Sequence, residues 1–275
     1  MNNRDAGLTI LGLVRNGGPA LAETLAAVNA LRRELHQTAC IIATNDNSDK
    51  TDAMLAEFAA QDGACTLLTL DGIVRALPQR IERIATVRNI ALAAMWQTAV
   101  SPYTLVVDLD GPNVRLPTRR IVTALETAGQ DGWDALFANQ APAYYDLYAL
   151  RHAEWCPSDP WAEIRRRRRA AFGFRSKRRL VAELIHDRQF AIPTSHPLIP
   201  VLSAFGGLGL YRTAALKGAW YGARGASGDI ICEHVVLHQA MIASGKRLFI
   251  DPSMINEAPP EHLGATSGRP FPGFE

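Results

Sequence analysis

The chain has 275 residues, of which 48% are hydrophobic and 20% are charged, as in a globular protein with a sizeable core. This composition excludes a disordered chain, and no apolar run reaches the roughly 18 residues that a membrane-spanning helix requires. The net charge is only +2, but residues 165–179 hold nine Lys or Arg and no acid, so the rest of the chain is mildly acidic.

The expected location is cytoplasmic. The four cysteines form no C-x-x-C pair, which favours free thiols in a reducing compartment. The apolar run near the N-terminus ends at Arg15 and is too short for a signal peptide.

The first half of the chain alternates short apolar runs with longer mixed segments. We predict strands at 8–14, 39–44, 65–70 and 103–107, with helices near 20–35, 52–60 and 78–99. Continuous apolar strands that alternate with helices are typical of a parallel sheet covered on both faces. The predicted fold class is α/β, with a Rossmann-like, mostly parallel sheet flanked by helices in a single domain.

The second half is less regular. We predict strands at 135–138, 205–211 and 247–250 and a helix near 230–243. A Pro-rich stretch covers 193–200, and the last 18 residues contain four prolines and three glycines, which indicates a loop or lid. No repeat or linker separates two domains.

Ligands of such sheets bind beyond the carboxyl ends of the strands. Three predicted loops meet there: Arg15-Asn16, residues 45–49 and residues 108–113. The third follows the sequence VVDLDGPN and carries Asp108 and Asp110. The two acids fit a haloacid-dehalogenase-like phosphatase, a nucleotide-sugar transferase, or a plain strand end followed by a turn.

The phosphatase interpretation makes Asp108 a nucleophile, with Lys217 as its lysine and Asp229 with Glu233 as its last acidic motif. Pro112 replaces the Thr or Val expected two residues after the second acid. That motif also normally ends the first strand of the core, whereas three predicted strands come before it here. The pattern therefore favours the transferase.

The transferase interpretation rests on metal chemistry. Mg²⁺ or Mn²⁺ bridges two adjacent phosphates best when carboxylate oxygens hold its other side. An Asp-x-Asp after a strand supplies such oxygens from a rigid edge, so Asp108 and Asp110 are candidate metal ligands.

Six segments give the chain a family resemblance, in the order NDNSDKT (45–51), RIATVRNIAL (83–92), VVDLDG (106–111), YYDLYALR (144–151), CEHVVLH (232–238) and LFIDP (248–252). With these segments the chain resembles the GT-A-fold glycosyltransferases, and more narrowly the fungal capsule-associated α-mannosyltransferase family and its bacterial relatives. It departs from them in Asp-Leu-Asp, where they tend to have Asn-Asp, and in its basic insertion.

The resemblance implies a single GT-A-like domain over 1–275. A nucleotide-binding half covers about 1–113, an acceptor-binding half with the basic insertion 165–179 covers about 114–257, and residues 258–275 form a loop or lid. It also implies Mn²⁺ or Mg²⁺, a GDP- or UDP-sugar donor such as GDP-mannose, and a glycan or lipid-linked acceptor in polysaccharide biosynthesis.

Several residues are candidates for binding the donor. Arg15, Asn16, Asn45 and Asp46 could contact the nucleotide, although Asn and Asp after a strand also form helix caps and turns. Arg83 and Arg88 could balance the diphosphate because arginine offers a charged fork, and the alternative is a solvated helix face. Asp108 is also a candidate for donor binding, because the metal that it holds would contact the same diphosphate.

Other residues are candidates for the acceptor side. Asp146 could bind sugar hydroxyls, with neighbouring tyrosines stacking on a ring. Glu233 could act as a general base in an inverting enzyme, or orient substrate in a retaining one. His234 and His238 share a helix face, and the resemblance selects His238 as a further metal ligand.

The basic segment RRRRRAAFGFRSKRR leaves three alternatives open. Phe172 and Phe174 among the cations suit an acidic membrane surface, which would place the protein peripherally at the inner face of the membrane. No recognition motif supports a nucleic-acid partner. A solvated loop is the third alternative, and a non-catalytic anion- or membrane-binding protein remains an alternative for the whole chain.

Overall fold

The computed structural model describes residues 7–61, 63–98, 101–170 and 176–274. Phe172 and Phe174 of the basic segment, and the predicted end of a helix at Ala99, lie outside the described residues.

The described chain forms ten strands and eight α-helices. The strands are β1 (Leu8–Val14), β2 (Thr38–Thr44), β3 (Cys65–Thr69), β4 (Tyr103–Asp108), β5 (Ala135–Ala141), β6 (Phe190–Ala191), β7 (Ile199–Val201), β8 (Leu208–Arg212), β9 (Leu248–Glu257) and β10 (Arg269–Pro270). The helices are α1 (Ala20–Arg33), α2 (Thr51–Ala60), α3 (Ile73–Ala76), α4 (Arg80–Trp96), α5 (Thr118–Asp131), α6 (Pro160–Ala170), α7 (Lys177–Leu184) and α8 (Glu233–Ala243). None of these helices is long and apolar enough to span a membrane.

Eight strands form one mixed sheet in the order β3-β2-β1-β4-β8-β5-β9-β7. The pairs among β1 to β4 and the pair β5–β9 are parallel, whereas β8 runs antiparallel to both neighbours and β7 runs antiparallel to β9. The predicted α/β class with a mostly parallel sheet is confirmed. The carboxyl ends of β1, β2 and β4 meet at one edge of the sheet.

The hydrophobic core lies on both faces of this sheet. Successive residues of a strand point to opposite faces, so Ile10 joins one cluster of buried side chains and Leu11 joins the other. Helices α1 and α5 cover the first face, and α4 and α8 cover the second. The double cover explains why these strands are apolar along their whole length.

Three predicted strands have different bounds in the structure. The strand predicted at 135–138 continues to Ala141. The strand predicted at 205–211 begins only at Leu208, because Gly206 and Gly207 have φ of 64° and 81° and form a turn. The strand predicted at 247–250 continues to Glu257, although Asp251, Pro252 and Ser253 interrupt its apolar pattern. A register shift between Ala138 and Asn139 of β5 accommodates that irregular middle.

Candidate active site

A cleft of about 280 Å³ opens at the carboxyl edge of the sheet. Its lining combines both signs of charge, with the cations Arg15, Arg80, Arg83 and Arg88 and the carboxylates Asp108, Asp110, Asp146 and Glu233. The sheet topology brings these residues together from distant parts of the sequence. Such a lining can bind a ligand that itself carries both charges, for example a cation held between phosphates.

Arg88 lies at the centre of the cleft wall. Its Nη2 donates to Asp108 Oδ1 at 2.8 Å, and its Nε donates to Glu233 Oε1 at 3.1 Å. Arg88 and Glu233 are buried, and Asp108 is only partly exposed. The guanidinium lies 5.0 Å from the ring centroid of Phe205, which shields it from water. Burial alone would lower the pKa of Arg88, but Asp108 and Glu233 raise it, so this side chain stays positively charged.

The third nitrogen of Arg88, Nη1, is buried without a hydrogen-bond partner. Buried polar atoms rarely lack a partner. Because Arg88 lines the cleft, Nη1 is a donor that a bound anion can satisfy.

The two acids of the Asp-x-Asp differ in their surroundings. Burial raises the pKa of Asp108 to about 7, although the Arg88 guanidinium opposes the shift. Asp110 is exposed at the mouth of the cleft, yet the surrounding protein raises its pKa as well. A divalent cation would offset the unfavourable charge of both groups.

The turn after β4 is fixed by backbone and amide contacts. The Asp108 backbone N–H donates to Gly207 O at 2.9 Å. Asn113 Nδ2 donates to Asp108 O at 2.9 Å and to Gly207 O at 2.8 Å. Gly207 has positive φ, and a Cβ there would lie 3.0 Å from Pro112. The acids therefore project from a rigid turn.

Asp146 also lines the cleft. Its Oδ2 accepts a hydrogen bond from the Gly206 N–H at 3.0 Å, and its Oδ1 accepts one from the Ala149 N–H at 3.2 Å. Burial nevertheless raises the pKa of Asp146. A carboxylate whose pKa lies nearer neutrality is suited to accepting a proton from a hydroxyl.

Glu233 and His234 begin α8 and both lie on the cleft wall. The His234 ring stacks on Phe205 with centroids 3.7 Å apart, and neither ring nitrogen has a hydrogen-bond partner. The pKa of His234 lies well below its usual value, mainly because the ring is buried and secondly because of the positive charge of Arg88. This histidine is therefore neutral in the ligand-free cleft.

His238 does not reach the cleft, which corrects its prediction as a metal ligand. The side chain is completely buried one helical turn further along α8. Its Nδ1 lies 2.9 Å from Ser203 Oγ, and its Nε2 lies 2.9 Å from Tyr211 Oη. Both nitrogens are thus used inside the core, and burial lowers the pKa of His238 to about 3.

The loops after β1 and β2 contribute Arg15 and Asn45 to the cleft, as predicted. Asn16 and Asp46 do not line it, and their contact with the nucleotide stays a prediction. Asn16 Oδ1 accepts from the Ser48 N–H at 2.8 Å. The Asp46 carboxylate accepts from two backbone N–H groups, those of Gly72 and Val74. Asn16 and Asp46 have φ of 53° and 44°, a conformation that Asn and Asp adopt more readily than most residues.

The same two loops are joined by further side-chain contacts. Asn47 Oδ1 accepts from the Asn16 N–H, Thr51 Oγ1 accepts from the Gly17 N–H, and Asp49 Oδ2 accepts from the Gly18 N–H. The segment NDNSDKT thus fixes the loop that carries Arg15.

Arg83 is buried on α4 and lines the cleft. Its Nη1 donates to Leu77 O at 2.8 Å and to Pro78 O at 3.3 Å, which uses part of its guanidinium to hold the chain before α4. Arg80, three residues earlier, is exposed on the lining, and its charge opposes the pKa rise of Asp110.

His262 is a functional candidate that sequence analysis missed. It lies in the C-terminal tail, and its ring stacks on Tyr145 with centroids 5.2 Å apart. Tyr145 lines the cleft, and the charge of His262 opposes the pKa rise of both Asp110 and Asp146. The only sequence signal was a histidine within the Pro-rich tail, which did not indicate its place beside the acids.

Over the described ranges, no group of three His, Cys, Asp or Glu side chains could hold a metal ion by itself. Asp108 and Asp110 supply two carboxylates at the mouth of the cleft. This donor set fits Mg²⁺ or Mn²⁺, which commonly take their remaining ligands from substrate phosphates and water.

No protein-family model matches the sequence, and no curated protein sequence matches it significantly. Solved structures do resemble it. The mannosyltransferase PcManGT from Pyrobaculum calidifontis, in complex with GDP-Man and Mn²⁺, has a TM-score of 0.52 at 14% identity, covering 91% of this chain and 56% of that chain. TarS 1-349 from S. aureus has a TM-score of 0.52 at 12% identity, covering 93% and 61%. Its complex with UDP-GlcNAc has a TM-score of 0.50.

These similarities establish the fold. The chain has the mixed, mostly parallel eight-stranded sheet of the GT-A type in a single domain. It spans less than two thirds of the length of PcManGT and of TarS 1-349.

Proposed function

We propose that this chain is a metal-dependent glycosyltransferase that moves a hexose from a nucleotide-diphosphate sugar to a glycan or a lipid-linked glycan. The observation that carries the proposal is the cleft, where two carboxylates with raised pKa values, Asp108 and Asp110, lie among four arginines. Anionic and cationic groups in one cleft suit a metal–diphosphate. The shared GT-A fold supports the same class.

On the donor side, Asp108 and Asp110 would hold Mn²⁺ or Mg²⁺, with the remaining ligands taken from phosphate oxygens and water. When bound, the ion supplies charge stabilisation for the departing diphosphate. Arg80 and Nη1 of Arg88 are placed to donate to phosphate oxygens. Arg15 and Asn45 line the part of the cleft next to β1 and β2, where we place the nucleotide.

On the acceptor side, Asp146 and Glu233 are the two carboxylates available. Glu233 is paired with Arg88, so its negative charge is already partly balanced. This pairing suits Glu233 to orient the substrate or to stabilise positive charge at the anomeric carbon. Asp146 receives only two backbone N–H groups and has a raised pKa, which suits it to accept the proton of an attacking hydroxyl. The acceptor oxygen then bonds to the anomeric carbon as the bond to the diphosphate breaks.

The narrower resemblance to the capsule-associated α-mannosyltransferases stays a prediction, and so do GDP-mannose as donor and a role in polysaccharide biosynthesis. PcManGT, which shares the fold, was solved with GDP-Man and Mn²⁺, which makes a guanine nucleotide the first donor to test.

The phosphatase alternative is less well supported by the geometry. Lys217 and Asp229, which it would place beside Asp108, are exposed and do not line the cleft. Asp108 is bound to a buried arginine, and no lysine lines the cleft within the described part of the chain.

The test is a thermal-shift panel of UDP, GDP, CDP and ADP, each with and without Mn²⁺, on the wild-type protein and Asp110→Ala. We expect one nucleotide to raise the melting temperature only with Mn²⁺ and only in the wild type. No response to any nucleotide under any condition would overturn the proposal. A response that Asp110→Ala retains would remove Asp110 from the site.

A further inference from the structure

A basic surface lies on α6 and α7, away from the residues that line the cleft. We define it by Arg165, Arg168 and Arg169 of α6 and by Lys177, Arg178 and Arg179 of α7, all of which are exposed. The two helices pack against each other, so the six cations lie on adjacent elements.

The arginines of α6 fall into two sets. Arg166 and Arg167 both pair with Glu163, and Arg167 also pairs with Glu183 of α7. Arg165, Arg168 and Arg169 are spaced i, i+3 and i+4, so they lie along one side of the helix. In the described parts of the chain, no carboxylate pairs with these three.

The cations of α7 occupy an unfavourable position. Lys177, Arg178 and Arg179 form the first turn of the helix, where the macrodipole is positive and acidic residues are the stabilising ones. No acid lies in that turn, and Ser176 caps it by accepting a hydrogen bond from the Arg179 N–H. The charge is therefore uncompensated within the helix, and an external anion would relieve it.

An apolar groove of about 690 Å³ runs between α7 and the C-terminal tail. Val181, Ala182 and Ala265 line it, and Lys177 and Arg178 stand at its basic end. Thr266 also lines the groove, and its buried hydroxyl has no hydrogen-bond partner. A groove whose lining combines apolar side chains with Lys177, Arg178 and His186 suits an amphiphile with an anionic head.

The tail that forms one wall of this groove also reaches the cleft. Gln189, which follows α7, is buried and donates through Nε2 to Tyr145 O and to His262 O. Gln189 also accepts from Ser267 and, through its backbone oxygen, from the Gly268 N–H. The basic surface and the His262 side of the cleft are thus parts of one packed unit.

We propose that the basic surface and the adjoining groove dock the protein on a bilayer that contains anionic lipid. The charges would meet the headgroups, and the groove would take apolar atoms of a lipid. The groove favours a lipid surface over a nucleic acid, which would call for base readout or stacking side chains instead. The inference stands independently of the proposed transfer reaction.

The experiment is co-sedimentation of the full chain with vesicles of phosphatidylcholine alone and of phosphatidylcholine with phosphatidylglycerol. One variant combines Arg165→Gln, Arg168→Gln and Arg169→Gln, and a second combines Lys177→Gln, Arg178→Gln and Arg179→Gln. The matched control combines Arg33→Gln, Arg119→Gln and Lys217→Gln, which removes the same charge from exposed positions on other elements.

We expect binding only to the anionic vesicles, weakened by salt, and reduced about a hundredfold in each basic-surface variant but little in the control. Ala182→Gln tests the groove without altering charge, and it should weaken vesicle binding.

Three results would overturn the proposal. They are equal binding to both kinds of vesicle, full binding by the two basic-surface variants, and tighter binding to an oligonucleotide that needs the same six cations. Circular dichroism and the melting temperature of each variant separate a folding defect from lost docking. The nucleotide thermal shift, measured on the same variants, separates this outcome from failure of the proposed function.

Discussion

Two polar regions lie at the carboxyl edge of the sheet, and they differ in how their groups are satisfied. In the loops 16–18 and 46–51, side chains such as Thr51 and Asp49 accept hydrogen bonds from backbone N–H groups of the neighbouring loop. On the cleft wall, Arg88 Nη1 and both nitrogens of His234 are buried without partners.

The difference separates structural from functional polar residues. Both regions carry Asn, Asp and Arg after strand ends, so their residue types alone do not distinguish them. The loops are complete without a ligand, whereas the cleft wall keeps charges and donors that a ligand can satisfy.

The largest expected effect is on stability, from Arg88→Met. This change removes the only cation that pairs with the buried Glu233 in the described structure, and it also removes the ion pair between Arg88 and Asp108. Removing one partner of a buried pair costs about 3–5 kcal/mol, because it leaves an uncompensated charge. Urea denaturation of the ligand-free protein near neutral pH measures the loss.

The double variant Arg88→Met with Glu233→Gln is the control, because it removes the stranded charge and should recover part of the stability. A single variant within about 0.5 kcal/mol of wild type, the range of ordinary surface changes, would contradict the pairing.

The second effect is on ligand affinity, from Asp110→Asn. This substitution keeps the shape of the side chain but removes an exposed carboxylate at the cleft mouth. Metal-dependent binding of the responding nucleotide should weaken by about a hundredfold, since even indirect supports of a metal site cost about 10–100-fold. Isothermal titration with Mn²⁺ present measures it. Asp229→Asn, an exposed site outside the cleft, should bind normally.

The third effect compares two histidines one turn apart on α8. His238→Leu leaves the buried hydroxyls of Ser203 and Tyr211 without this partner, which should cost about 1–3 kcal/mol. His234→Leu breaks no hydrogen bond and should cost less. Denaturation of both variants tests the assignment of one ring to the core and the other to the cleft, and the reverse order would contradict it.

The smallest effect is a pH dependence of metal binding. Burial raises the pKa of Asp108 to about 7, so a proton competes with the metal below that value. Mn²⁺ affinity in the presence of nucleotide should fall by about tenfold for each pH unit below 7. An ordinary carboxylate would show no change until about pH 4.

In the metal-free protein the pH dependence of stability runs the other way: metal affinity rises with pH, whereas stability falls. Between about pH 4 and pH 7 the folded state holds the Asp108 proton and the unfolded chain does not, so this carboxyl lowers stability as the pH rises. Its contribution is isolated by the difference between wild type and Asp108→Asn across that window. A difference that does not vary with pH would contradict the raised pKa.

Much of the fold was predictable, because a strand buried on both faces leaves a continuous apolar run. Strands β1, β2 and β4 follow that rule, and their predicted bounds differ from the structure by at most one residue. Strand β9 does not follow it, since Asp251 and Asn256 are buried through side-chain contacts that no sequence period reveals.

The location of a site residue was predictable where chain order fixes it, and less predictable where it depends on how side chains and helices pack. Asp108 and Asp110 follow a strand and had to lie at the sheet edge, as did Arg15 and Asn45. The choice between His234 and His238 depends on which helical turn faces the cleft, which spacing alone does not determine. His262 is held against Tyr145 of the cleft lining by tail contacts with Gln189, and these depend on the whole fold.

The most direct test of the account compares Thr51→Val with Asp110→Asn by calorimetric melting, with and without the responding nucleotide and Mn²⁺. Thr51→Val leaves the buried Gly17 N–H without its acceptor, so the ligand-free melting temperature should fall, by the equivalent of about 1–3 kcal/mol, while the ligand-induced rise remains. Asp110→Asn should melt at or above the wild-type temperature and lose the ligand-induced rise. The opposite pattern, with ligand response lost in Thr51→Val and kept in Asp110→Asn, would contradict the division between structural loops and a ligand-binding cleft.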